Sequence, residues 1–183
     1  MEFKELRNDI ENSIIYNVNT NGKENYKFQQ FSFGERGSRL SFELLDEIVQ
    51  GMVTSIIQNF ASFDYIVAPE PCGHFWGGIL SYNLKTPISI LRCFETKNEK
   101  EQLIERKTAY SDGILSIRDL IENSKVLIVD DVISTGSTVK TILKVLNSKN
   151  IHVVGVQVIV TKSHCYKVLS AEYGVKIKSL LSI

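Results

Sequence analysis

Four apolar residues, Val126-Leu127-Ile128-Val129, run straight into two carboxylates, Asp130 and Asp131. Val132 and Ile133 follow, then a short stretch of small residues, Ser134-Thr135-Gly136-Ser137-Thr138. An unbroken run that includes β-branched Val126, Ile128 and Val129 suits a strand covered on both faces. From Thr138 the apolar positions Val139, Ile142, Leu143, Val145 and Leu146 recur at helical spacing, so the small-residue loop opens a helix. Strand, acids, loop and helix in this order are how an open α/β sheet builds a site at the carboxyl ends of its strands.

The loop has a readable chemistry. Residues 134–138 offer successive backbone N–H groups and several hydroxyls, and the helix start adds partial positive charge, a combination that holds a phosphate monoester. Asp130 and Asp131 repel phosphate. They can accept hydrogen bonds from vicinal hydroxyls of a sugar, or hold a divalent cation directly or through water. A phosphate site beside a site for a diol and a metal implies a phosphorylated ribose. A merely structural strand and capped helix would leave two acids at a strand end without a purpose that offsets their desolvation. The chain has no Gly-x-x-x-x-Gly-Lys-Ser/Thr, and no Gly-x-Gly-x-x-Gly after a strand.

Composition excludes several classes. Lys plus Arg equals Asp plus Glu at 21 each, so no global charge points to nucleic acid or a membrane surface. No apolar run approaches a membrane span, and Met-Glu-Phe-Lys-Glu is too charged to begin a signal peptide. Cys72, Cys93 and Cys165 lack metal-site spacing and are read as free thiols of a cytoplasmic protein. At 183 residues the chain is expected to form a single domain with a sizeable core.

Strand and helix patterns alternate along the chain. Residues 1–15 have helical spacing through Phe3, Leu6, Ile10 and Ile14, residues 26–33 read as an aromatic-rich strand, and residues 34–37 as a turn. Ser41 precedes the clearest amphipathic helix, carried by Leu44, Leu45, Ile48, Val49, Met52, Val53, Ile56, Ile57 and Phe60. Strands are expected at 65–68, 87–92, 153–160 and 175–181, with a helix at 74–83. Residues 93–112 are polar, weakly patterned and expected to be a mobile loop. The pattern argues an α/β fold: a mainly parallel twisted sheet with helices on both faces.

Residues 126–138 resemble the phosphoribosyl pyrophosphate (PRPP) loop of the type I phosphoribosyltransferases. The resemblance implies their Rossmann-like fold, with 61–183 as the PRPP-binding core and 1–60 contributing a hood over the base. It implies that Val132, Ile133, Ser134, Thr135, Gly136, Ser137 and Thr138 line the phosphate site. Asp130 and Asp131 would act in catalysis by contacting the ribose hydroxyls and would help hold Mg²⁺, directly, through water or through those hydroxyls. Residues 67–78, Val-Ala-Pro-Glu-Pro-Cys-Gly-His-Phe-Trp-Gly-Gly, resemble the family's pyrophosphate loop, with Glu70, Pro71, Cys72 and Gly73 at the binding positions and a non-proline cis peptide often among them. The residues Gly-His-Phe-Trp-Gly are similar to the Gly-Phe-x-Phe-Gly of adenine enzymes, while the usual Ser-Arg-Gly is replaced by Pro71-Cys72-Gly73. His74 and Trp76 are read as helix-face packing against the sheet. Arg92 carries over as a pyrophosphate ligand.

Residues 106–113 resemble the closing segment of archaeal hypoxanthine/guanine enzymes, which gives Lys107 a pyrophosphate role and Tyr110 a catalytic, site-sealing one. Lys162, just past the strand at 153–160, matches the lysine that donates to a purine O6. The implied activity is transfer of phosphoribose from PRPP to a purine base, in a homodimer, with neither nucleic acid nor membrane as partner. Adenine is slightly preferred over hypoxanthine and guanine as the expected acceptor. Two alternatives stand beside it: a PRPP-sensing regulator without turnover, and an orotate or uracil enzyme. The first lacks the helix-turn-helix such regulators usually add.

Overall fold

The structure, a computed structural model, describes residues 2–20, 23–37, 39–94, 102–107, 112–117, 120–162 and 164–183. In chain order the elements are α1 (Lys4–Glu11), β1 (Ile14–Thr20), β2 (Lys23–Gln30), α2 (Phe42–Asn59), β3 (Tyr65–Pro69), α3 (Gly73–Leu84) and β4 (Ile88–Phe94). They continue as β5 (Gln102–Lys107), β6 (Asp112–Ile117), β7 (Lys125–Ile133), α4 (Ser137–Ser148), β8 (His152–Thr161), α5 (Cys165–Tyr173) and β9 (Ile177–Ser182). Among the described residues, β1 and β2 form an antiparallel hairpin, and the other strands one sheet in the order β5-β6-β4-β3-β7-β8-β9. The five strands β4, β3, β7, β8 and β9 are parallel, while β6 and β5 add an antiparallel edge.

Strand β7 is covered on both faces, as its apolar run demands, and Val126 through Val129 are all fully buried. Alternation divides them between two cores. Val126 and Ile128 join Val139, Ile142, Leu143 and Leu146 of α4 and Leu169 of α5. Leu127 and Val129 join Leu44, Ile48, Met52 and Ile56 of α2 and Trp76 and Leu80 of α3.

Helix α2 begins where its cap predicts: the Ser41 Oγ accepts from the Leu44 N–H at 3.2 Å. Its own Glu47 caps α1, accepting from the Lys4 N–H at 2.8 Å with one carboxylate oxygen and from the Leu6 N–H at 2.8 Å with the other. A carboxylate there satisfies two amides that no helix turn can reach and suits the helix's positive end.

Several segments differ from their patterns, β6 among them, which the sequence reading does not give as a strand. Residues 1–15 are not one helix, because α1 stops at Glu11 and Ile14 opens β1, where Ile14 and Ile15 are mostly exposed. The expected loop at 93–112 contains β5, which pairs antiparallel with β6 from Gln102↔Ile117 to Lys107↔Asp112 and so satisfies its backbone despite a polar sequence. Helix α5 has no counterpart in the sequence reading, since Leu169 is its one buried residue.

The chain leaves β3 toward β4 on one side, whereas β7, β8 and β9 build outward on the other. The sheet therefore reverses direction between β3 and β7, and loops leaving the carboxyl ends of those two strands flank a crevice.

Candidate active site

The loop after β7 meets the crevice first. Gly136 has φ +77°, a left-handed conformation that turns the chain sharply into α4. A Cβ at Gly136 would lie 2.5 Å from the Leu169 Cδ1, so helix α5 presses on the loop from behind. The Cys165 thiol donates to the Ser134 carbonyl at 2.9 Å and ties the loop's entrance to the same helix. The Thr135 and Ser137 hydroxyls lie 3.1 Å apart at the start of α4. Gly136 at the cap position has no side chain to cap α4, and only a long bond of 3.4 Å from the Ser137 N–H to the Thr135 Oγ1 engages its first amide. A small-residue loop opening a helix in this way has the chemistry to hold a phosphate.

Asp130 is buried at the end of β7 and Asp131 half-buried beside it. The Asp130 Oδ1 accepts from the Asp131 N–H at 2.9 Å, and the Asp131 Oδ1 from the Val132 N–H at 2.8 Å. These short local bonds fix both carboxylates at the strand end. Burial pushes the Asp131 carboxyl above the ordinary range, against hydrogen bonds that favour its charged form. A Cβ on Gly34 would lie 3.4 Å from the Asp131 Oδ2, which sets the turn after β2 directly over the acid.

That turn forms the facing wall. Phe31 and Phe33 stack with centroids 4.8 Å apart, and the Trp76 indole N–H donates to the Phe33 carbonyl at 3.1 Å. Turn bonds from the Gly34 N–H to Phe31 and from the Gly37 N–H to Gly34, at 3.2 and 2.9 Å, hold its shape. Phe28, Gln29, Phe31, Gly34 and Glu35 line the cleft from this side. Lys162, at the end of β8, places Nζ 4.6 Å from the Phe31 ring centroid. Burial pushes its ammonium down to about 8, with Asp131 acting in the opposite direction.

The loop after β3 closes a third side with Glu70, Pro71 and Cys72, and the bond between Glu70 and Pro71 is cis. Burial, then the charges of Asp131, Asp130 and Glu35, push the Cys72 thiol up and favour its protonated form. Gly73 allows the start of α3 to pass the acids, since a Cβ there would lie 3.0 Å from the Asp130 Oδ1 and 2.9 Å from the Val129 carbonyl.

The structure thus brings Asp130, Asp131, residues 132–138, Glu70, Pro71, Cys72 and Lys162 around one cleft. Gly73 stands behind the wall. Arg92 lies outside the cleft lining and is largely exposed, its Nη1 3.2 Å from the Glu70 Oε1. The cis bond is one before proline rather than the non-proline bond the resemblance suggests. Trp76 packs as expected, whereas His74 is exposed. Tyr110 lies outside the described residues, and Lys107 falls on β5 with its side chain outside them. Glu35 and Gln29 were not singled out by sequence, because only the fold of the turn over β7 brings them to the acids.

Residues 42–178 match the phosphoribosyl transferase domain family. The chain belongs to that family. The hypoxanthine/guanine phosphoribosyltransferase of Methanothermobacter marburgensis is 30% identical over 139 residues, covering 76% of this chain and 72% of the relative. The enzyme of the same description from Methanobacterium lacus is 32% identical over 143 residues, covering 77% and 73%. Among solved structures, adenine phosphoribosyltransferase from Leishmania tarentolae superposes with a TM-score of 0.75 at 19% identity, covering 100% of this chain and 88% of that one. The adenine enzyme of Thermoanaerobacter pseudethanolicus gives 0.73 at 22%, covering 98% and 99%. The shared fold is the type I one, and the phosphoribosyltransferase family places this chain among the transferase enzymes. No helix among the described residues is long and apolar enough to cross a membrane.

Proposed function

We propose that this phosphoribosyltransferase joins PRPP to a 6-oxopurine base, hypoxanthine or guanine, releasing pyrophosphate and the nucleoside 5′-monophosphate. The observation that carries the reading is the sharing of one cleft by the phosphate loop, the acid pair and an ammonium over an aromatic ring. The 5′-phosphate lies on residues 134–138, and Asp130 and Asp131 accept from the ribose hydroxyls. The bond from C1 to the pyrophosphate oxygen breaks with its electron pair leaving on pyrophosphate. A ring nitrogen of the base bonds to C1 and loses its proton. The 5′-phosphate and the acids hold C1 in place for that exchange, which is where positioning lowers the barrier.

The base lies under the end of β2 and the turn at 31–37, which α1 braces through the Asp9 Oδ2 accepting from the Ser32 N–H at 3.1 Å. Lys162 can donate but not accept, which favours an oxo group over the amine of adenine. The two relatives described above as hypoxanthine/guanine enzymes support the same choice, which we take over the slight preference for adenine expected from Gly-His-Phe-Trp-Gly. Among the described residues no three His, Cys, Asp or Glu groups converge as a metal cage. Two adjacent carboxylates suit Mg²⁺ that takes its remaining oxygens from substrate and water. When bound, Mg²⁺ would offset the negative charge of departing pyrophosphate. Glu70, Pro71 and Cys72 border the place for pyrophosphate, with Arg92 at its rim on Glu70. Lys107, Tyr110 and a second subunit belong to this reading as the closing segment and the homodimer.

The test offers PRPP and Mg²⁺ with adenine, hypoxanthine, guanine, orotate and uracil, and measures pyrophosphate release. Release with hypoxanthine or guanine is the expected result. PRPP binding without release for any base would instead mark a sensor. The Lys162 ammonium is charged below about 8 and neutral above it. KM for the 6-oxopurine therefore rises as pH passes 8, and Lys162→Met, already without the charge, loses that step in the profile.

A further inference from the structure

Resting on the proposed transfer to a 6-oxopurine, we infer that Trp76 is a positioning residue for the base: its indole N–H holds the turn at 31–37, and that turn seats the Lys162 ammonium through two stacked rings. Trp76 lies in the first half of α3 and is 1% exposed. A buried indole N–H requires an acceptor, and this one reaches 43 residues back along the chain to the Phe33 carbonyl at 3.1 Å. The helix that carries it is a firm support. A Cβ on Gly77 would lie 2.6 Å from the Ala68 Cβ, so α3 rests directly on β3. The residue before Phe33 is tied to a different helix, the Ser32 N–H donating to the Asp9 Oδ2 of α1 at 3.1 Å.

Phe33 carries the restraint onward. Its ring lies parallel to that of Phe31, with 4° between the planes and 4.8 Å between the centroids. Both residues are buried, so the pair has little freedom of its own. Phe31 then takes the Lys162 Nζ at 4.6 Å from its centroid. The Lys162 backbone is fixed by its N–H on the Ile133 carbonyl at 2.8 Å, yet a flexible four-carbon stem separates that backbone from the ammonium. The ring selects where the stem ends, while the charge of Asp131 acts on the ammonium within the same cleft. An oxo group accepting from Lys162 therefore meets a donor already in place. With the turn released, binding of the base has to order the ammonium, which raises KM for the base. PRPP, held by the end of β7 and the start of α4, does not depend on that step.

The experiment measures KM for hypoxanthine and for PRPP, melting temperature, and the pH profile of the hypoxanthine KM, in the wild type, Trp76→Phe and Phe33→Leu. The first variant keeps an aromatic ring and removes the N–H. The second keeps the backbone carbonyl that accepts from Trp76 and removes the stack. Leu80→Val, one helical turn along α3, is the control for a loosened core. In both test variants the hypoxanthine KM should rise roughly 3–10-fold, the value of one hydrogen bond, with the PRPP KM within about twofold of the wild type. Lys162, less enclosed, should also titrate higher, so the rise in hypoxanthine KM moves from about pH 8 toward the ordinary lysine range. Leu80→Val should lower the melting temperature and move neither. A hypoxanthine KM within about twofold of the wild type in both test variants, equal rises in the two KM values, or an unmoved pH step overturns the inference. Phe33→Leu decides if Trp76→Phe does not fold. Turnover of adenine alone also overturns it, while leaving phosphoribosyl transfer intact. Failure of every base to release pyrophosphate in the wild type overturns the transfer reading itself and the inference with it.

Discussion

Asp131→Asn will weaken PRPP binding by roughly 10–100-fold, the loss expected when a charged acceptor for substrate hydroxyls becomes neutral. The fold will not suffer. An asparagine oxygen can still accept from the Val132 N–H that Asp131 holds at 2.8 Å. The sign of the charge effect agrees. Burial raises the folded carboxyl above its unfolded value of 3.8, so over the interval just above 3.8 the folded state binds more protons than the unfolded state. Stability therefore falls as pH rises through that interval and stays lower at neutral pH. The neutral amide removes this penalty. Melting temperature at pH 7 should equal or exceed that of the wild type while titration with PRPP shows the lost affinity. Unchanged affinity would remove Asp131 from the ribose site.

Gly136→Val should damage both the fold and the site. At φ +77° a β-branched residue adopts a backbone conformation it strongly disfavours, at about 1–2 kcal/mol. Its Cβ would also meet the Leu169 Cδ1 at 2.5 Å, in a place where Leu169 is buried and has little room to yield. Overpacking of this kind adds about 1–3 kcal/mol. A fall in melting temperature of roughly 5–15 °C follows for a chain of this size. The relief of that clash moves the first turn of α4, so PRPP affinity should fall more than tenfold even well below the melting point, where simple unfolding predicts no loss. Thermal melting and PRPP titration of the same sample separate the two effects.

How much of this could be read beforehand depends on whether the cause was local. The run at 126–129, the acids and the hydroxyl loop declare themselves because strand burial, strand end and helix start are all encoded within 13 residues. Helix α2 is equally legible, with its cap at Ser41 and its apolar face in period. Ile14 misleads: it extends the helical spacing of Leu6 and Ile10, yet a β-branched residue after Ser13 starts a strand whose hydrogen bonds come from β2. Strand β5 is invisible in a polar sequence because β6 supplies its bonds. Arg92 carries a family role in the sequence, but Glu70 holds it at the rim. Glu35 lies 96 positions from Asp131 and nothing near it in the sequence announces an acid facing an acid.

Strand β7 sends alternate side chains into two separate hydrophobic masses, and both hold it. Loosening either one alone leaves the ribbon anchored by the other. Its central amides should accordingly be among the slowest in the molecule to exchange with heavy water. The carboxylates one residue beyond that span are thereby aimed from a backbone anchored on two sides.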